Sequence, residues 1–237
     1  MNNNLEFNDG VYVNDSAVSK SFVSNVFAYM ALALAISGAL AYLFGTTDLI
    51  LSLVTRSGMT TLGWVVMFAP FAFILAMNFG FNKMSFTTLL AVFLGYAAVM
   101  GISLSFIFLV YDLGIITKVF FITAGLFGAM AFIGYTTKTD LTKFGGILMM
   151  AVIGIVIASV VNMFMKSSQM DYIISCVGVL VFTGLTAYDV QKIKRIGAGV
   201  EFGTAEASKL ALMGALNLYL DFVNLFMFLL RVFARRD

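Results

Sequence analysis

Seven apolar stretches, each long enough to cross a bilayer, account for most of this 237-residue sequence. A transmembrane α-helix needs about 20 predominantly apolar residues. Charged residues make up 11% of the chain, whereas soluble domains typically carry about 25%, so this chain cannot cover a water-facing surface. The sequence therefore predicts an all-α polytopic membrane protein with seven helices near residues 21–44, 62–81, 85–110, 115–136, 144–165, 171–193 and 208–233.

The connections between these stretches are short, which predicts one domain. Residues 1–19 are polar and lack the basic start, the apolar core and the cleavage site of a signal peptide. We therefore expect a polar N-terminal tail over residues 1–19, followed by a single transmembrane domain over residues 20–237.

Lysine and arginine residues indicate the orientation, because cytoplasmic loops carry an excess of both. With seven spans, eight of these cations fall on the side of the N-terminus and six on the opposite side. Three of the six are Arg231, Arg235 and Arg236 at the C-terminal end. We expect an integral membrane protein with a cytoplasmic N-terminus, and the side of the C-terminus stays open.

Composition also excludes several function classes. The formal net charge of +2 is small and dispersed, whereas a nucleic-acid-binding protein needs a clustered basic face. The chain has no histidine and one cysteine, Cys176, so histidine-ligated haem or zinc and a disulfide framework are excluded. We expect no nucleic-acid partner and no bound cofactor.

Two aspartates, Asp189 and Asp221, occur within the last two apolar stretches. A carboxylate at membrane depth costs about 2.5 kcal/mol or more, so it normally faces a partner or a water-filled cavity and indicates a functional site. The simpler interpretation of Asp189 is an i, i+3 ion pair with Lys192. The last two stretches should pack antiparallel, because a connection containing Gly197, Gly199 and Gly203 joins them.

The seventh stretch carries a polar stripe. Asn217, Asp221 and Asn224 are spaced i, i+4, i+7 and lie on one helical face, which should contact protein or water rather than lipid. Asparagine often only joins helices by hydrogen bonds, so a packing role for Asn217 and Asn224 stays open.

Two carboxylates that share a poorly solvated site cannot both ionise cheaply, so Asp189 and Asp221 are expected to hold a single proton near neutral pH. Without that proton the pair repels itself or captures a cation. Calcium prefers about six to eight oxygen ligands, and the two aspartates with Asn217 and Asn224 supply only part of such a shell. This favours passage or weak binding of calcium over tight storage.

Four segments resemble the Bax inhibitor-1 family, also called the transmembrane Bax inhibitor motif family. AYDVQKIK at residues 187–194 and LYLDFVNLFMFLLRVF at residues 218–233 are similar to its two signature segments. GISLSFIFLVY at residues 101–111 and GYTTKTDLTKFGGILMMAVIG at residues 134–154 resemble its third helix and the join of its fourth and fifth helices. Together they cover the chain from about residue 85 to the end, in the family's order.

The resemblance to a bacterial-type member implies seven helices, with the last surrounded by the other six, in a prokaryotic plasma (inner) membrane. It also implies a pH-sensitive calcium leak in which Asp189 and Asp221 form the sensor beside the pore, with Tyr188, Lys192 and the two asparagines as supporting polar residues. Calcium ions and protons would be the partners. An arginine that some members carry near the end of helix two, where it holds the helix-six aspartate, is missing here. The nearby cation Lys83 lies too far into the loop, so this contact is either absent or supplied by Lys192.

Two other functions compete with a leak. Intramembrane aspartyl proteases also place one aspartate on each of two neighbouring helices, the first preceded by tyrosine, as in Tyr188-Asp189. In those enzymes the second aspartate follows Gly-x-Gly, whereas here Asp221 follows Leu218-Tyr219-Leu220. The Pro-Ala-Leu element of those enzymes is also absent, because Pro70 is the one proline of this chain. We therefore expect no enzymatic activity. The second alternative is a non-conducting regulator that binds a membrane protease or another membrane protein.

Overall fold

The computed structural model describes residues 15–56, 58–201 and 203–234, and these residues are almost entirely helical. Seven of its helices are long and apolar enough to cross a membrane, which confirms the predicted all-α polytopic fold. The long helices are α1 (Asp15–Thr46), α2 (Thr61–Gly80), α3 (Phe86–Leu104), α4 (Leu113–Thr136), α5 (Gly145–Met165), α6 (Ser168–Gly199) and α7 (Ala205–Ala234).

Short elements connect the long helices. Three 3-10 helices cover Asp48–Ser52, Ser105–Leu109 and Leu141–Phe144. Between the first of them and α2, strands β1 (Val54–Thr55) and β2 (Gly58–Met59) form a small antiparallel hairpin. Side-chain caps begin several helices, because a hydroxyl accepts from one of the unpaired N–H groups of the first turn. Such caps are made by Thr60 for α2, Ser85 for α3 and Ser167 for α6.

Helix α7 is the central helix of the bundle. Within the most apolar 18 residues of each span, 72% are buried in α7, against 50% in α6 and 6% in α5. Helices α1, α3, α4 and α6 pack directly on α7, whereas α2 packs chiefly on α3 and α5 on α6. The predicted ring of six helices around α7 therefore consists of four direct neighbours and two outer helices.

The sixth helix is longer than the sequence predicted. It continues to Gly199, six residues past the expected end at residue 193, so Gly197 and Gly199 belong to the helix and only Gly203 belongs to the connection. Gly197 is buried directly against Phe22 of α1. This tertiary contact stabilises the last turns despite the low helix propensity of glycine.

The first helix also begins earlier than predicted. It starts at Asp15, inside the segment expected to be a polar tail. Ser19 is buried, and its hydroxyl donates a 3.0 Å hydrogen bond to the carbonyl oxygen of Lys194 in α6. The start of α1 is thus fixed to the end of α6, while residues 1–14 lie outside the described part.

A buried polar cluster joins α1, α3 and α7. The Ser37 hydroxyl donates to the carbonyl oxygen of Ala97 at 2.7 Å, so the Tyr219 hydroxyl donates to the Ser37 oxygen, also at 2.7 Å. The ring of Tyr96 packs edge-on against that of Tyr219 at 5.4 Å. A Cβ added at Gly101 would lie 2.6 Å from the carbonyl oxygen of Ser37, so glycine permits the close approach of α1 and α3.

Gly134→Ala should destabilise the protein, because the added methyl group would collide with the backbone of Ala187 in α6. Backbone atoms cannot move aside as a flexible side chain can, and overpacking typically costs about 1–3 kcal/mol. The matched control is Gly128→Ala in the same helix, where an added Cβ has nothing within 4 Å. Thermal unfolding of the purified protein should show a lower midpoint for Gly134→Ala alone, and equal midpoints would contradict the close contact of α4 and α6.

Candidate functional site

The structure brings the side chains of Asp189 and Asp221 close together between α6 and α7, near enough for each carboxyl group to act on the other. Asp221 is only 5% exposed, and its Oδ2 atom has no hydrogen-bond partner among the described residues. A carboxylate only accepts hydrogen bonds, so a bond between these two groups would require a proton on one of them.

No salt bridge joins either aspartate to a cation in the described ranges. The two ion pairs there are Arg195 with Asp140 at 2.7 Å and Arg231 with Asp171 at 3.6 Å. Lys192 is exposed, and its charge acts on Asp189 without direct contact. The simpler interpretation of Asp189, an i, i+3 ion pair with Lys192, is therefore wrong for this arrangement, because Asp189 faces α7 instead.

The supporting residues predicted from sequence do not gather around the pair. Tyr188 is half-buried and its ring packs against Gly145, the first residue of α5. Asn217 is exposed, and Asn224 uses its amide to donate to the Leu220 carbonyl oxygen of its own helix at 2.8 Å. Asn217 is thus exposed while Asp221 is buried, and the expectation that this face contacts protein or water rather than lipid stays a prediction. Helix α2 packs chiefly on α3 rather than on α7, so the side of α7 toward α2 is the less covered one.

The uncovered side of α7 opens into a cavity of about 620 Å³ between α2, α3 and α7. It extends along α7 from Leu220, next to the aspartate pair, to Arg231 near the C-terminal end of the helix. Asn224 lies on its wall. Of the polar stripe, Asn224 therefore borders this space, whereas Asn217 and Asp221 are not among the residues that line it.

The acidic groups near the pair are few. Within residues 15–56, 58–201 and 203–234, no group of three or more histidine, cysteine, aspartate or glutamate side chains could hold a metal ion. Asp189 and Asp221 thus offer a cation two carboxyl groups and no third acidic ligand.

Asp140 lies outside the spans and has a different electrostatic role. Hydrogen bonds from the side chain and the backbone N–H of Thr142, together with the Arg195 guanidinium, lower the pKa of Asp140 to about 2. A lowered pKa means that the Asp140 interactions persist at neutral pH and are lost only as the pH falls toward about 2. A pH response near neutrality cannot come from Asp140.

Comparison with known proteins identifies the family. The family model described as "Inhibitor of apoptosis-promoting Bax1" matches residues 19–237. The chain belongs to the Bax inhibitor-1 family. This finding confirms the resemblance seen in the four sequence segments, and it extends the similarity upstream to the first helix.

Bacterial relatives of this Bax inhibitor-1 family chain are similar over nearly their whole length. The inner membrane protein YbhL of Escherichia coli K12 is 38% identical over 92% of both chains. An uncharacterized protein of Borreliella burgdorferi is 41% identical over 92% of this chain and 94% of the relative. An uncharacterized membrane protein of Streptococcus pyogenes serotype M3 is 33% identical over 97% of this chain and all of the relative.

Two residues at the site were missed by sequence reasoning. Gln191 lies two residues after Asp189 in α6. It accepts at 2.8 Å from the Leu141 N–H and donates at 2.8 Å to the Thr139 carbonyl oxygen, and these two bonds fix the α4–α5 connection. Tyr96 is fully buried on the cavity wall, and its hydroxyl has no partner among the described residues. Gln191 stands next to lysines near the end of its helix, so nothing in the sequence indicates a role for it. Tyr96 is a polar aromatic residue within the third apolar stretch, and this position could have indicated a buried hydroxyl.

The proximity of the two aspartates can be tested by cross-linking. A variant with cysteine at positions 189 and 221, made together with Cys176→Ala, should link efficiently with a short membrane-permeant thiol reagent because the parent side chains touch. Electrophoresis after cleavage between α6 and α7 measures the linked fraction. Linking only through reagents longer than about 10 Å would contradict a shared site, since the interaction of two charges weakens with distance.

Proposed function

We propose that this Bax inhibitor-1 family membrane protein is a pH-sensitive calcium leak channel, controlled by Asp189 and Asp221. The observation that supports the proposal best is the contact of two carboxyl groups from adjacent membrane-spanning helices, without a salt bridge to either among the described residues. Structural ion pairs place a cation beside a carboxylate, whereas this pair can be neutralised only by protons or by a mobile cation.

Proton occupancy would set the charge of the pair. Two full negative charges 4 Å apart repel by about 4 kcal/mol at an effective dielectric constant of about 20. When the shared proton leaves, the carboxylates must therefore separate or bind a cation. One proton removes most of this repulsion and allows a hydrogen bond between the two carboxyl groups.

The direction of the pH response follows from how strongly each state holds calcium. Conduction requires an ion site strong enough to attract the ion and weak enough to release it. A doubly charged pair retains a divalent cation or a lysine, while a pair with one proton releases it. Calcium leak should therefore rise as the pH is lowered from alkaline values into the range where the pair gains a proton.

The route would follow the side of α7 that faces α2. Asn224 lies on the wall of the cavity that extends to Arg231, and Asp221 and Asn217 precede it by about one and two turns on the same helical face. Calcium is here the transported ion, with protons as the regulating ligand and no resident cofactor. Because the relative YbhL is named an inner membrane protein, we propose the same location for this protein. The cytoplasmic position of the N-terminus is proposed from the distribution of lysine and arginine residues.

A second candidate function is a non-conducting regulator that binds another membrane protein. The feature that favours it is α5, which packs chiefly on α6 and on the 3-10 helix that precedes α5. Only 6% of the most apolar 18 residues of this span are buried. Calcium flux from the purified protein in liposomes, measured over a series of pH values, separates the two functions. A leak that responds to pH supports the channel, and no flux at any pH favours the regulator.

Asp221→Asn should abolish most of the pH response while the protein still folds. Asparagine has nearly the shape of aspartate and keeps a hydrogen bond to Asp189, but the pair can no longer carry two charges. Leak at alkaline pH should therefore reach the level that the wild type attains only after acidification. The measurement is calcium flux in liposomes against pH.

The matched control is Asp112→Asn in the exposed connection before α4, which should keep the wild-type curve. A wild-type pH–flux curve for Asp221→Asn would show that Asp221 is not part of the sensor.

Lys192→Met tests whether this lysine holds Asp189 away from Asp221 when the pair loses its proton. Lys192 acts on Asp189 from a distance in the paired state, so it is free to approach when the pair separates. A partly exposed ion pair is worth up to about 1 kcal/mol, so the substitution should raise leak at neutral pH by at most about five-fold.

Lys143→Met, at an exposed lysine of the 3-10 helix before α5, serves as the control for loss of one cation. Equal leak in both variants would mean that Lys192 is only solvated. A large loss of flux in Lys192→Met would instead indicate a structural role.

A further inference from the structure

A second polar site lies at the end of the bundle that carries the α4–α5 and α6–α7 connections. A cavity of about 340 Å³ opens between the start of α1, the end of α4 and the last turns of α6. Its lining is mostly polar or basic and consists of Ser19, Gly134, Thr137, Lys138, Gln191, Lys194, Arg195 and Ala198. We propose that this cavity binds the phosphate group of an anionic phospholipid such as phosphatidylglycerol.

The lining residues of α6 form a single face. Gln191, Lys194, Arg195 and Ala198 are spaced i, i+3, i+4, i+7, so their side chains leave the helix on one side. This side faces the last turn of α4. Gly134 in that turn contacts the backbone of Ala187, so α4 and α6 meet closely there and the face of α6 beyond the contact becomes one wall of a cleft.

The cations of the cleft keep unused hydrogen-bond donors. Lys194 donates one of its three N–H groups to the Tyr135 carbonyl oxygen at 2.8 Å and lies 4.7 Å from the centre of the Tyr135 ring. Arg195 bonds to Asp140, Thr142 and Gln191, and these three bonds leave two of its five N–H groups. Lys138 is exposed and makes no salt bridge within the described ranges.

The charge of the cleft is positive. Asp140 balances Arg195, and the lining contains no acidic residue, so Lys138 and Lys194 remain uncompensated. A phosphate group accepts several charge-assisted hydrogen bonds and carries the opposite charge. The Gln191 amide is already used in fixing the α4–α5 connection, so the cleft is held in shape before a ligand enters.

The depth of the cleft favours a lipid over a free ion. The apolar span of α4 ends at Thr136, and the cleft is lined by Gly134 before this end and by Thr137 and Lys138 after it. It therefore lies at the boundary between the hydrocarbon core and water, where lipid phosphates are located. Basic pockets between transmembrane helices at such a boundary bind anionic headgroups.

The experiment compares the full-length protein and its variants in phosphatidylcholine nanodiscs with increasing phosphatidylglycerol. Native mass spectrometry counts the phosphatidylglycerol molecules that stay bound, and thermal unfolding reports the stabilisation that a ligand of the folded state produces. Because a lysine near anionic lipid contributes about 1 kcal/mol, Lys138→Gln with Lys194→Gln should weaken binding of one lipid about 30-fold. The single variant Lys138→Gln, which removes no hydrogen bond of the fold, should weaken it about five-fold.

Lys83→Gln is the matched control, since Lys83 is an exposed cation of the α2–α3 connection outside the cleft. It should leave binding unchanged. A separate arm replaces the lipid with inorganic phosphate. If phosphate stabilises the protein as much as the lipid does, and the same variants lose this stabilisation, the assignment to a lipid is overturned. If Lys83→Gln weakens lipid binding as much as the cleft variants do, or if the wild type binds no lipid, the site itself is overturned.

Discussion

A helix that carries a carboxyl group at membrane depth must be covered by protein, and the burial of α7 is the constraint on which the rest of this structure depends. Four helices cover α7 directly, and its apolar span is the most buried of the seven. One side, toward α2, is left partly open. Asp221 is buried on the covered part of the helix, and its neighbour Leu220 lines the cavity on the open side.

Close backbone contacts make this cover rigid. Gly101 lets α3 approach α1, and Gly134 lets α4 approach α6 next to the segment that carries Asp189. The hydrogen bond from Tyr219 to Ser37 joins α7 to α1 two residues before Asp221. Because α1, α4 and α6 are held in this way, charging of the pair has to be accommodated on the loosely packed side, where α2 packs on α3 and borders the cavity.

The helices and the aspartate pair could be predicted from sequence, because bilayer thickness fixes the length of an apolar span and a carboxylate in such a span needs a partner. Side-chain positions could not be predicted where they depend on how the helices pack against one another. The spacing of Asn217, Asp221 and Asn224 indicates one helical face, but the packing of the neighbouring helices leaves Asn217 exposed and Asp221 buried. Likewise, the contact of Gly197 with Phe22 extends α6, and propensity alone would end it earlier.

The charged residues in the C-terminal half of α6 have separate electrostatic roles. Asp189 faces α7 without a direct cation, while the following turns carry Lys194 and Arg195 toward the α1–α4 cleft. Arg195 stays paired with Asp140 near neutral pH because the pKa of Asp140 is about 2. In the function proposed above, a proton entering the membrane-embedded pair would leave this ion pair unchanged. The proposed pH response and the proposed lipid contact would therefore belong to separate parts of the bundle.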